Sequence, residues 1–339
     1  MSKHARLTRF LTFVLVTVFA ALILSSCGGG SSGEGSGGGT LTLVAYSTPR
    51  EAYEQITSTY AETEAGQGVS FETSFGSSGE QSRAVEGGLP ADVIALSLEP
   101  DVTRLIEPGL VEDDWNADEY NGMVTDSVVV LAVRPGNLKG IQGWSDLVRE
   151  DVEVITPNPF TSGGARWNVM AAYGAQLEQG ASEDEAIGYL RQLFTNVSVQ
   201  DKSARESLQT FAGGKGDVLI AYENEIITAQ QEGEELEFVV PEQTILIENP
   251  VAVISDSQNP DQAQAFVDFL RSPESQRIFG EQGYRPVVEE VLGEFDYPTP
   301  PSLFTIEDLG GWQEVTTRFF NADSGVMADI NREVGAPTG

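Results

Sequence analysis

From residue 41 to residue 254, short apolar runs rich in β-branched side chains alternate with longer stretches whose apolar residues recur at helical spacing. The short runs fall at 41–45, 69–74, 92–96, 127–133, 152–156, 197–200, 217–222 and 238–240 and read as strands. Trp167, Met170, Ala171, Gly174 and Leu177 mark one face of a helix, and further helices are expected over 261–270 and from 274 toward 280. Such alternation predicts an α/β architecture with largely parallel sheets, and no internal repeat is visible. Two runs stand out as longer. Residues 126–137 form an extended stretch ending in a turn, and 244–254 is apolar apart from an interruption at Asn249 and Pro250. They are the expected crossovers between two lobes, after which the C-terminal helices return to the first lobe.

A different pattern precedes this body. Lys3, Arg6 and Arg9 lead into an apolar run over 10–24, too short for a comfortable bilayer span, so residues 1–26 read as a secretion signal. Cys27 follows Leu24, Ser25 and Ser26 and resembles the lipobox cysteine to which bacteria attach lipid; it is the expected lipidation site. Residues 28–40 are almost entirely Gly and Ser, which bury nothing, so 27–40 is expected to be a flexible tether. The expected location is extracytoplasmic, with the body held to the membrane by its lipid.

Composition narrows the chemistry. Cys27 is the only cysteine, and the only histidine, His4, lies inside the signal. Disulfides, thiolate or imidazole metal sites and histidine-activated nucleophiles are therefore excluded from the mature chain. Gly76-Ser77-Ser78-Gly79 lacks the spacing of a nucleophile elbow, and only Lys139, Lys202 and Lys215 remain as candidate amine bases. No enzyme activity, cofactor or metal is expected. The formal net charge is −33, and removal of the signal leaves 16 basic against 52 acidic residues, which argues against nucleic acid as a partner.

Four segments share one feature: a strand gives way to small residues and then to a helix. A helix start exposes backbone N–H groups without intrahelical partners at the positive end of the helix dipole, and so can hold an anion without a charged side chain. In the first, Ser47 sits at the mouth, with Thr48 as the expected cap, Pro49 as the first helical residue and Glu51 as its capping partner. In the second, Ser78 and Gln81 have capping-box spacing between glycines. The third carries Ser162, Gly163 and Gly164 directly into the helix of Trp167. The fourth repeats the box at Ser203 and Glu206 and puts Ala204 first in its helix. Each cap taken alone serves only its helix. An α/β fold, however, gathers such loops at the carboxyl ends of its strands.

Several stretches resemble the sulfate-binding and thiosulfate-binding proteins of bacterial importers: VAYSTPREAYEQ from Val44, SSGEQ from Ser77, ITPNPFTSGGARWN from Ile155, GDVLIAYENE from Gly216, YRP from Tyr284 and FTIEDLGGW from Phe304. The resemblance runs from Leu41 to about Phe320. It implies a two-lobed type II periplasmic-binding fold with a hinge and an interlobe cleft, one lobe made of 41–125 with 247–339 and the other of 126–246. It further implies a monomer that hands a dehydrated dianion to the permease and ATPase of an ABC importer. By the same resemblance the ligand is held by the main chain at Ser47, the hydroxyl of Ser78, the Ser162, Gly163 and Gly164 segment, the main chain at Ala204 and the side chain of Tyr222. A family member places aspartate at the position of Ser47 and tryptophan at that of Tyr222, and the second difference bears on the choice between sulfate and thiosulfate. Molybdate or phosphate is an alternative ligand. So is a hard cation held by carboxylates and tyrosines, and a surface adhesin is a third reading.

Overall fold

The computed structural model describes residues 39–338, so the expected signal, Cys27 and nearly all of the expected tether lie outside the described residues. The first third of the body is three parallel strands, β1 (Thr40–Tyr46), β2 (Ser70–Gly76) and β3 (Val93–Ala95), with β1 between the other two. They are linked by α1 (Arg50–Glu62) and α2 (Ser78–Glu86), and the short α3 (Glu99–Thr103) follows β3. Next comes the 11-residue β4 (Met123–Val133), buried along nearly all its length.

A second group of strands and helices follows: β5 (Val154–Ile155), α4 (Gly163–Glu178), α5 (Glu183–Asn196), β6 (Val197–Val199), α6 (Ala204–Ala212), β7 (Val218–Tyr222), α7 (Glu223–Gln231) and β8 (Glu237–Val239). Strand β5 lies parallel to both β6 and β7. The second long strand, β9 (Gln243–Val253), pairs antiparallel with β3 near its end and with β4 near its middle. The first half of β4 faces β9, with Ser127 opposite Ile247, and its second half faces β7, with Val129 opposite Tyr222. Thus β4 and β9, the two longest strands, link β3 to β7 through the sheet.

The chain closes with α8 (Pro260–Leu270), α9 (Pro273–Glu281), β10 (Arg285–Pro286), α10 (Glu289–Leu292), β11 (Ser302–Phe304), α11 (Gly311–Phe319) and α12 (Val326–Val334). Helices α8 and α9 bury Phe266, Leu270, Ile278 and Phe279 in the core that also holds Leu43, Tyr53 and Tyr60. Phe304, Trp312, Phe319 and Met327, within the segment 247–339 expected with the first lobe, are buried together with Trp167, Tyr173 and Phe194. The cause is α4, which buries almost its whole circumference and so needs cover on the side away from the sheet. Trp312 packs edge-on against Trp167 at 4.7 Å, Phe319 meets Tyr173 at 4.8 Å, and Phe304 lies where any Cβ on Gly174 would collide, 2.3 Å away.

Candidate ligand-binding site

Six strand ends supply one small cavity. Tyr46, Ser47 and Thr48 follow from β1, Gly76, Ser77 and Ser78 from β2, and Ser97 stands two residues beyond β3. From the other lobe come Ser162, Gly163 and Gly164, Ser203 and Ala204, and Tyr222 at the end of β7. All seven residues singled out from the sequence therefore bound the same space. It measures about 10 Å³, the scale of one small group and far below a sugar or peptide. None of its thirteen lining residues is charged.

The helix starts face this space as their sequences suggest. Ser162 caps α4, its hydroxyl accepting from the Ala165 N–H at 3.4 Å, and Gly163 and Gly164 are the first two helical residues. Ser203 caps α6 in the same way, accepting from the Glu206 N–H at 3.2 Å, with Ala204 first in the helix. Ser78 is the first residue of α2. N–H groups at these positions have no intrahelical acceptor, and three helix dipoles present their positive ends together.

Three expected capping boxes are not completed in the structure, because one or both members are drawn to other partners. Thr48 does not cap α1; its hydroxyl donates across the cleft to Glu225 at 3.4 Å, and Glu51 pairs with Arg205. At α2 the cap is Ser77, and Gln81 turns to Ser74, its Nε2 donating at 3.1 Å. Glu206 accepts from the Lys202 N–H at 3.1 Å, one residue before the expected partner. The Ser78 hydroxyl is also engaged: it donates to Asp101 at 2.6 Å and accepts from the Ser97 N–H at 3.0 Å. Ser78 thus keeps only its amide for a ligand.

The lobes meet closely around the cavity. A Cβ on Gly163 would stand 2.0 Å from Ser97 Oγ and 2.6 Å from Leu98 Cδ2, an approach that only glycine permits. Trp167 Nε1 donates to the Ser97 carbonyl at 2.7 Å, and Arg205 Nε donates to the Ser47 carbonyl at 3.1 Å. The arginines are occupied: Arg205 by Glu51 and the Ser47 carbonyl, Arg166 by the Pro159 carbonyl at 3.0 Å and by the ring of Phe320.

Tyr222 is fully buried, and its hydroxyl makes no hydrogen bond of proper geometry, although Ser97 lies near it. Burial pushes its pKa well above that of an exposed phenol, so it remains an O–H donor. Its own N–H donates to the Glu225 carboxylate at 3.1 Å. Burial pushes Glu225 up to about 7, against the opposing pull of that N–H, Arg205 and Thr48. Sequence reasoning missed Ser77 and Ser97 as cavity residues. Ser97 was detectable, since it too follows a strand at the same end of the sheet.

Comparison with known proteins reports on the same chain. Residues 41–285 match the family described as bacterial extracellular solute-binding protein. A sulfate-binding protein of Synechococcus elongatus is 39% identical over 96% of this chain and 97% of its own length. A thiosulfate-binding protein of Pseudomonas aeruginosa is 34% identical, covering 86% of this chain and 91% of its own. Among solved structures, the sulfate-binding protein SubI from Mycobacterium tuberculosis H37Rv superposes with a TM-score of 0.81 at 41% identity, over 83% of this chain and 99% of that one.

Proposed function

The chain belongs to the sulfate- and thiosulfate-binding family of bacterial extracellular solute-binding proteins, and from that membership and the cavity we propose that it captures sulfate outside the cytoplasm and delivers it to an ABC importer. The observation that carries the reading is the neutral cavity of converging helix starts: donors from both lobes surround a space for one small ion, and no carboxylate or cation lines it. Ser47, Ser78, Ser162, Gly163, Gly164, Ala204 and Tyr222 are the proposed ligand-binding residues, Ser78 through its amide. Sulfate is fully ionised at neutral pH and offers acceptors alone, so a donor-lined site satisfies all of it. Hydrogen phosphate brings a proton that needs an acceptor, and a buried polar group left unpaired costs about 1–3 kcal/mol, or one to two decades of affinity.

The chain is proposed to work by capture and release, as a member of a family of binding proteins, with the hydroxyls and amides of the cavity as its ligand-holding groups. Lipid attachment at Cys27 would hold the monomeric receptor near its permease, and the lobes close on the anion before delivery. Calorimetric titration of the purified protein with sulfate, thiosulfate, molybdate and phosphate tests the proposal. One-to-one binding, tightest for sulfate, is expected; a folded protein silent toward all four anions contradicts it.

A further inference from the structure

We infer that Ser97 and Ser77 bind the oxyanion directly, and that Ser97 and Tyr222 form a hydroxyl pair which makes closure of the two lobes depend on the anion. The inference rests on the reading of the cavity as an oxyanion site. Ser77, Ser97 and Tyr222 are all buried, all line the cavity, and none of their hydroxyls has a hydrogen-bond partner of proper geometry. Buried hydroxyls are normally paired, and three orphans around one small space call for a ligand that pairs them.

Ser97 is held in place by its backbone. Its N–H donates to Ser78 Oγ at 3.0 Å, and its carbonyl accepts from Trp167 Nε1 at 2.7 Å and Asn249 Nδ2 at 3.1 Å. With the backbone so fixed, Ser97 Oγ lies directly against Gly163 at the start of α4. Tyr222 flanks the next residue, its ring carbon Cε1 lying 3.6 Å from the Cβ position of Gly164. Ser77 caps α2 in position only, because its hydroxyl accepts from no helix amide and stays free for the cavity. Ser97 and Ser77 belong to the lobe of β1 to β3, and Tyr222 belongs to the lobe of β7.

A dianion that accepts from Ser97 and Tyr222 together ties the two lobes through its own oxygens. When no anion is present, the closed arrangement buries three unpaired hydroxyls, a cost that the open arrangement avoids by wetting them. The hydroxyls therefore oppose closure of the empty protein and reward closure around an acceptor-only ligand, which is a differential interaction with the two states.

The test is titration of the full chain with sulfate, comparing Ser97→Ala, Ser77→Ala, Tyr222→Phe and the double variant Ser97→Ala with Tyr222→Phe, with small-angle scattering of each in sulfate-free buffer. Each single variant is expected to bind sulfate about tenfold more weakly or worse, the scale of one hydrogen bond to a charged group. The double variant should lose less than the product of its singles, since the pair acts on one ligand. It should also be more compact than the parent without sulfate. Thermal midpoints should stay close to the parent, because the bonds that hold Ser97 in the fold come from its backbone. Sulfate affinities equal to the parent in Ser97→Ala and Ser77→Ala overturn the inference while leaving the receptor reading intact. A parent chain that binds no sulfate removes both.

Discussion

The cavity and the strand crossing a short distance away treat charge in opposite ways. The cavity, which is proposed to hold a dianion, is lined by hydroxyls, glycines and alanine alone. At the crossing of β4, β9 and β10, charged groups are drawn inside. Arg285 makes a two-pronged pair with the fully buried Glu223, Nε to Oε2 at 2.8 Å and Nη2 to Oε1 at 3.2 Å. Asp126 stands opposite both Glu248 and Arg285 in the sheet, and desolvation together with Glu248 pushes its carboxyl up to about 8. The difference teaches where charge is useful. An arginine in the cavity would hold sulfate and phosphate alike, whereas fixed neutral donors sort them by their protons. At the crossing no ligand has to be sorted, and the Arg285–Glu223 pair ties β10 to the start of α7.

The largest effect that would break this contrast is steric. Gly163→Ala places a methyl group inside the space of Ser97 Oγ and Leu98, so the lobes cannot close as they do here. Sulfate affinity should fall by about a hundredfold or more, as for the loss of two bonds to a charged ligand. The thermal midpoint should hold, since alanine favours the helix. Titration and melting of the same sample separate the two quantities. At the crossing the pattern should reverse. Arg285→Ala leaves Glu223 buried without its partner and should cost about 3–5 kcal/mol in denaturant unfolding. Sulfate affinity measured on the remaining folded protein should change far less.

A smaller effect sharpens the boundary between the regions. Glu225 stands beside the cavity and touches both lobes, accepting from the Tyr222 N–H and from the Thr48 hydroxyl. Its pKa rises from 4.5 to about 7 on folding, so its contribution to stability is complete below 4.5 and is lost as pH climbs through 7. Glu225→Gln should remove that part of the decline. The checking measurement is the thermal midpoint of both proteins between those pH values, where the parent should fall with rising pH more steeply than the variant.

The two regions were also unequally legible in the sequence. Helix starts are local: Ser162 before two glycines and Ser203 before Ala204 announce themselves within four residues, and the fold brings them together because strand ends share one edge. Ser97 escaped because it begins no long helix, although its place two residues beyond β3 was a signal, and the crowding of Gly163 against it marks it in the fold. Thr48 and Gln81 have the spacing of caps but are drawn to Glu225 and Ser74, partners that lie outside any local pattern. The covering of α4 by Trp312 and Phe319 was invisible for a similar reason, since an amphipathic helix shows that it has a buried face and not what it is buried against. The pairing of Glu223 with Arg285, separated by 62 positions, carries no local signature at all.

The most direct test of a neutral site that selects by protonation is a side-by-side titration of the protein with sulfate and phosphate at pH 7. Sulfate binding at least about tenfold tighter than phosphate, the cost of one unpaired buried group, is the predicted result. Equal affinity for the two anions would contradict the account, because it would mean that the cavity supplies an acceptor for the phosphate proton.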